Sequence, residues 1–337
     1  MKILFILDPL ASIKTYKDTS FAMMVEAAGR GHEVHFAPQE GLMWKGGRVV
    51  AEHVRLHLLD GEMRLGNPAF HDTHWYRLEL PPHETPLADF GAVLMRKDPP
   101  FDMEYVTSTW LLEAAVREGA RVFNDPRSIR DHSEKLAIAK FAQFTAPTLV
   151  ARLMQQIQTF IDAHGDVVLK PLAGMGGESV FRVTDRDANR NVIVETLTAH
   201  GHRTIMAQRY IPEIRDGDKR VLLIAGEPVP YALARIPKPG ESRGNLAAGG
   251  TGVARPLTAR DREIAEHLGP ALWRRGLLLV GLDVIGDWLT EVNVTSPTCF
   301  QEIAQQTGFD VAGMYFDALE AAVAAGSGDR QAARDPK

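Results

Sequence analysis

A single cysteine, Cys299, stands among 337 residues, so the chain can form neither an intrachain disulfide nor a multi-cysteine metal cluster, which fits a reducing compartment. Cys299 itself reads as a small buried apolar residue. No apolar run approaches the roughly 18 residues that a membrane helix needs. The short apolar start, residues 3–7, stops at Asp8-Pro9; neither a signal peptide nor a membrane anchor is expected, and the reading is of a cytoplasmic protein. Blocks of one charge are missing too, because 43 acidic and 38 basic residues are mixed along the chain for a net charge of -5. Nothing in that mixture could neutralise a run of phosphates, which excludes nucleic acid as a partner. No internal repeat is visible.

What the chain does have is 45% hydrophobic content, enough for two or three packed domains. Its first third alternates short apolar runs (2–7, 33–37, 92–96) with helical patterns (21–29, 103–118), the rhythm of an open α/β sheet over residues 1–123. Gly46-Gly47 reads as a hairpin turn. Residues 66–86, rich in Pro and His, are expected to wander over the surface. Asp125 followed by Pro126 marks a helix start, predicted to run over 128–141. Strands and helices then alternate to residue 210. Residues 237–252 hold five glycines and two prolines and are expected to be mobile. A helix over 259–274, strands over 278–285 and 288–292 and a helix over 310–324 follow, and residues 325–337 are expected to be disordered.

Four groups of residues carry chemistry. A strand delivers Lys170 to a turn holding Gly174, Gly176 and Gly177 before Ser179; glycines let backbone N–H groups wrap phosphate oxygens, and the lysine adds charge. The lysine precedes the glycines, so this is no Walker A loop, and a plain hairpin turn is the alternative. Asp283 lies on one strand and Glu291 and Asn293 on the next, where alternation puts 291 and 293 on one face. Such hard oxygens suit Mg2+ held jointly with phosphates. A strict two-residue hairpin at Gly286-Asp287 would set Asp283 opposite Thr290, so shared ligation requires a bulge. A solvent-facing carboxylate is the alternative for Glu291, and a solvated helix face the alternative for Lys135. Arg220, two residues after Asp218, and Arg235 place two guanidinium groups that could clamp carboxylates or phosphates, or simply form surface ion pairs with Asp216 or Glu213.

Taken together, six runs resemble the ATP-grasp superfamily and, within it, the prokaryotic glutathione synthetases: residues 14–23, 94–102, 169–179, 216–225, 234–250 and 280–298, in the family's order. The resemblance implies an N-terminal α/β domain over 1–123 followed by a two-lobed ATP-grasp fold, with a central lobe over 124–207 and a C-terminal lobe over 208–324. It implies that ATP is used to join γ-L-glutamyl-L-cysteine to glycine through an acyl phosphate, giving glutathione, ADP and phosphate. Lys135 and Lys170 match phosphate-binding lysines, and Gly174, Gly176, Gly177 and Ser179 the small phosphate loop. Gln208, Arg209, Tyr210 and Ile211 match the segment bordering the adenine, and Asp218 the ribose and phosphate approach. Asp283, Glu291 and Asn293 match the metal ligands, for Mg2+ or Mn2+. Arg220 and Arg235 match the catalytic arginines near the transferred phosphoryl group, and residues 237–252 the active-site lid. A homotetramer is implied as well. Another carboxylate-amine ligase of this fold and a non-catalytic ATP-binding regulator are the competing readings.

Overall fold

The computed structural model describes residues 1–70, 74–174, 176–241, 244, 246 and 249–326. Its first sheet comprises β1 (Lys2–Ile6), β2 (Glu33–Ala37), β3 (Leu42–Lys45), β4 (Arg48–Leu58), β5 (Tyr76–Pro86), β6 (Ala92–Met95) and β7 (Val122–Phe123). The order is β3-β4-β2-β1-β6-β7, with β5 also on β4; β1 runs parallel to β2 and β6, and β6 parallel to β7. Helices α1 (Thr19–Gly29), α2 (Gly61–Arg64) and α3 (Met103–Arg117) belong to this part. Asp18 and Asp102 cap α1 and α3 by accepting from the N–H groups of Phe21 and Tyr105.

One expectation fails here. Residues 76–86 do not wander over the surface but form β5, paired antiparallel with β4 from Leu58↔Tyr76 to Val50↔Pro86. The strand reads as a loop because it lies at an edge, where prolines are tolerated and one face stays wet. Its buried anchor is Trp75, whose ring meets Phe21 edge-on at 5.2 Å.

The chain then enters α4 (Pro126–Asp131), started by Asp125 and Pro126 as the sequence predicts. The helix expected over 128–141 is instead broken. It stops at Asp131, and a 3-10 stretch, Leu136–Phe144, follows with a kink at Phe141. That break turns Glu134 and Lys135 inward, where a continuous helix would have carried Lys135 to solvent.

The second sheet, β8 (Thr148–Ala151), β9 (Asp166–Pro171), β10 (Phe181–Thr184) and β11 (Ile205–Arg209), is antiparallel in the order β10-β9-β11-β8. Helices α5 (Met154–His164) and α6 (Arg190–Thr198) pack on it through Ile157, Ile161, Val194 and Leu197. The third sheet, β12 (Asp218–Ile224), β13 (Glu227–Ile236), β14 (Thr251–Pro256), β15 (Leu279–Ile285) and β16 (Trp288–Asn293), is antiparallel in the order β14-β13-β12-β15-β16. Helix α7 (Ala259–Arg274) opens with a reciprocal cap between Thr258 and Asp261. Helices α8 (Phe300–Thr307) and α9 (Val311–Ala324) return to the first sheet, where Phe300 and Phe316 share a core with Phe5 and Phe21.

Of the stretch expected to be mobile, residues 242, 243, 245, 247 and 248 lie outside the described residues, and Thr251 and Gly252 already belong to β14. Of the tail expected to be disordered, 327–337 lie outside them.

Candidate active site

Between the second and third sheets lies a cleft of about 830 Å3. Strand alternation sends Lys170 and Gln208, on neighbouring strands, to its floor. Lys170 Nζ donates to Gln208 Oε1 at 3.4 Å, and Gln208 Nε2 donates to Thr148 Oγ1 at 2.9 Å. Burial pushes the Lys170 ammonium pKa down; Glu291 opposes that shift and Lys135 adds to it. Beyond β9 the turn holds Gly174, Gly176 and Gly177 at φ of 102°, 68° and 79°, a left-handed backbone that other residues adopt at a cost. Lys135 Nζ reaches across to donate to Gly174 O at 3.0 Å and lies 3.8 Å from Glu291 Oε1. Lys135 is therefore a buried cation of the cleft, not part of a solvated face. Arg209, Tyr210, Ile211 and Asp218 line the cleft as well, with Val168, Ile214 and Ile285 supplying apolar wall. Ser179 does not line it and is exposed.

The opposite wall is built on β12, β13, β15 and β16. Register sets Arg220 beside Asp283, and Arg235 beside Asp218. Arg220 grips the Asp283 carboxylate bidentately, Nε at 2.6 Å and Nη2 at 3.1 Å, while Arg235 Nη2 reaches Asp283 at 2.9 Å and Asp218 at 2.5 Å. Gly281 makes room for this: a Cβ there would lie 2.8 Å from Arg220 Cδ. Burial disfavours the Asp283 carboxylate, but the two guanidinium groups outweigh it and hold the acid below the usual carboxylate range. These arginines are buried at 6% and 4% exposure, which removes the reading of surface ion pairs.

The β15–β16 hairpin carries the expected irregularity. Ile285↔Trp288 and Val284↔Leu289 pair as in a two-residue hairpin, then the register shifts so that Asp283 faces Glu291 and Gly281 faces Asn293. Thr290 Oγ1 donates to Asp283 O at 3.1 Å at the bulge. Three oxygen-bearing side chains thus share one face of the hairpin formed by β15 and the edge strand β16.

Can this face hold a divalent cation? Asn293 Nδ2 donates to Gly281 O at 3.2 Å, which leaves its Oδ1 for another partner. Among the described residues, Glu291 has its ion pair with Lys135, at the edge of ion-pair range. Asp218 Oδ1 is buried without a hydrogen-bond partner among the described residues, and burial raises that carboxyl to about 7, against Arg235 and with Asp283 and Glu291 adding. Among the described residues no cluster of three or more His, Cys, Asp or Glu side chains is arranged to chelate a metal by itself. The donor set is instead a few hard oxygens, which fits an ion whose other ligands are phosphate oxygens and water.

A second cavity, of about 1370 Å3, joins the first at Gly176 and Glu291, which line both. Arg220, Arg235, Asp283 and Asn293 form one side; Lys14, Lys17 and Asp18, before α1, form another with Asp98, Thr298 and Glu302. Glu134 also faces this space, accepting from Thr295 Oγ1 at 2.8 Å; burial and nearby Glu291 raise it to about 7. The loop before α1 is tied down by Gln301, whose Nε2 donates to Thr15 O at 2.8 Å and Asp18 O at 2.6 Å. Buried Arg96 bridges Ser20 Oγ at 3.1 Å and Pro297 O at 2.9 Å, and Ser296 Oγ donates to Asp98.

Glu134, Asp98, Ser296 and Gln301 escaped the reading of the sequence. Asp98 and Ser296 fall in motif runs and Glu134 is next to Lys135, yet nothing in their spacing marks them, because their partners are about 160 to 200 residues away. Gln301 sits on α8, a helix too short to announce itself, although Phe300 and Ile303 show helical spacing.

Two family profiles match the chain: the N-terminal domain of prokaryotic glutathione synthetase over residues 1–130, and the ATP-grasp domain of prokaryotic glutathione synthetase over residues 134–308. The glutathione synthetase of Ralstonia nicotianae is 61% identical over 328 residues, covering 97% of this chain and 98% of the relative. That of Nitrosomonas europaea is 61% identical over 324 residues, covering 96% and 99%. Among solved structures, the D-cycloserine synthetase DcsG superposes with a TM-score of 0.65 at 15% identity, over 96% of this chain and 100% of that one, a likeness of fold. Both profiles occur in order on a chain whose sheets enclose the cleft between them, and the chain belongs to the prokaryotic glutathione synthetase family.

Proposed function

We propose that the protein is a Mg-ATP-dependent ligase that phosphorylates the cysteinyl carboxylate of γ-L-glutamyl-L-cysteine and joins it to glycine, releasing ADP and phosphate. The observation that carries this reading is the meeting of two cavities at Gly176 and Glu291, with Lys135 and Lys170 on the nucleotide side and Arg220 and Arg235 on the other. Two anions about 4 Å apart repel by roughly 4 kcal/mol at an effective dielectric of about 20, so a carboxylate approaches a γ-phosphate only where cations converge. Lys135, Lys170 and the N–H groups of the glycine turn hold the phosphates, while Val168, Ile211, Ile214 and Ile285 take the adenine beside Gln208, Arg209 and Tyr210. Asp218 borders the ribose and phosphates. Arg220 and Arg235 orient the substrate carboxylate and then the acyl phosphate, lowering the barrier by position and charge. Glu291 and Asn293, with Asp283 behind them, would hold Mg2+ or Mn2+, which supplies further charge neutralisation when bound.

Water destroys an acyl phosphate, so residues 237–252 act as a lid; Gly244 borders the first cavity and Leu246 the second. The same reading carries a division at 1–123, 124–207 and 208–324, a homotetramer and a cytoplasmic location, on the family resemblance. Incubating the purified protein with Mg-ATP, γ-glutamylcysteine and a panel of amino acids, then following ADP and the tripeptide, tests it. Ligation to glycine is expected; ATP binding without any ligated product would favour a non-catalytic regulator.

A further inference from the structure

We infer that Arg182, on β10, is a positioning residue for the nucleotide: clamped by Asp166, its guanidinium holds the ring of Tyr210 as the wall against which the adenine lies. The inference rests on the ligase reading above and deepens its nucleotide side, where Tyr210 lines the first cavity and Arg182 stands behind it.

The placement follows from the antiparallel pairing of β9 and β10. Arg182 lies opposite Val168, and Thr184 opposite Asp166, so Arg182, Val168 and Asp166 share one face of the second sheet, the face that Val168 turns to the cleft. Arg182 is the diagonal neighbour of Asp166 on that face. Its Nε donates to Asp166 Oδ1 at 3.0 Å and its Nη2 to Oδ2 at 2.6 Å. A bidentate pair fixes the orientation of the guanidinium as well as its place. The guanidinium carbon stands 3.7 Å from the centroid of the Tyr210 ring, well inside cation–π range. The backbone closes the triangle, because Tyr210 N donates to Asp166 O at 2.9 Å. Asp166 therefore holds Tyr210 twice, once through its own carbonyl and once through Arg182.

With the guanidinium over one face, the ring offers the cleft its other face or its edge. Arg209, one residue earlier, is drawn to the third sheet: its guanidinium lies 5.6 Å from the ring of Trp288, at the start of β16. The segment between the two sheets is thus tied to both, and Tyr210 belongs to the second. Val168, Ile211, Ile214 and Ile285 give a base apolar burial but no fixed plane; an oriented aromatic ring supplies one. Arg182 and Asp166 are 45% and 34% exposed, so their ion pair adds little to stability, and its consequence is where it points the ring.

Measurements on the full chain test this. The wild type must first bind ADP and form product with Mg-ATP; failure of either would sink the ligase reading and this inference with it. Given both, Arg182→Met should raise KM for ATP and Kd for ADP about three- to fivefold, as a cation–π contact at a half-exposed site predicts, with kcat and the KM for glycine unchanged. Asp166→Asn should reproduce that pattern. Inorganic tripolyphosphate, which reaches the lysines and the glycine turn without a base, should inhibit Arg182→Met and wild type equally; a matching loss there would overturn the assignment, because Arg182 would then act on phosphate charge or on the fold. Tyr210→Leu should weaken ADP about tenfold, since a base stacked on an aromatic ring is held by that much or more. Adding Arg182→Met to Tyr210→Leu should change nothing further, as for two residues that act through one contact. Unchanged ADP affinity in Arg182→Met, or effects that multiply in the double variant, would also overturn it.

Discussion

Asp283→Asn separates two roles that the position allows. The carboxylate accepts from Arg220 at 2.6 and 3.1 Å and from Arg235 at 2.9 Å, and all three side chains are buried. Asparagine keeps the shape but removes the charge and turns an N–H toward a guanidinium that also donates. Two buried cations would then share Asp218 as their remaining close acid, and breaking a buried pair in this way costs about 3–5 kcal/mol. The ligand-free protein should therefore lose about that much stability, read by urea titration with hydrogen exchange at the amides of β12 and β15, and kcat should fall because both arginines lose their orientation. If Asp283 served only a bound metal, removing its charge from a site already crowded with acids would leave the ligand-free protein as stable as before or more so. Unchanged ligand-free stability, with turnover restored by excess Mg2+, would refute the reasoning.

Glu291→Gln should lower kcat by about 100-fold or more while changing stability by less than about 1 kcal/mol, since Glu291 is partly exposed and faces both cavities; equal losses in kinetics and in unfolding would return it to a structural role. Asn124→Ala should destabilise by about 2–4 kcal/mol in urea unfolding, because Asn124 satisfies Leu279 N, Leu279 O and Val294 O in the interior, where orphaned groups are costly. Burial holds His53 and His132 near pH 4, below the ordinary 6.5, and the nearness of His35 Nδ1 to His53 Nδ1, at 3.2 Å, would set two N–H donors face to face if both rings were charged. The unfolded chain then binds protons that the folded one refuses, so these groups cost no stability above pH 6.5 and a growing amount as pH falls to about 4. Urea midpoints at pH 7 and 4.5 should differ less in a His53→Gln, His132→Gln double variant than in the wild type; an identical difference would contradict the account.

The elements most legible in the sequence were those whose signals are local. A period of two or of 3.6 residues, the capping Asp125 before α4, and the positive-φ glycines after β9 each depend on neighbours a few positions away. Even the bulge between Asp283 and Glu291 followed from local parity, since a strict hairpin would have sent one carboxylate to the wrong face. β5 was missed because an edge strand needs only one partner and carries little alternation, and the break after Asp131 because nothing near it in sequence demands that Lys135 turn inward.

By itself, then, the amino-acid order determined most of the strands, the glycine turn after β9 and, through the motif runs, the family. Tertiary structure alone decided that Lys135 and Gly174 meet, that Asp283 is held by two arginines, that Gln301 ties α8 to the loop before α1, and that two cavities open onto each other at Glu291. Those contacts join segments up to nearly 290 residues apart. Charge balance in a buried cleft is a property of everything that surrounds it, and no window along the chain contains that sum.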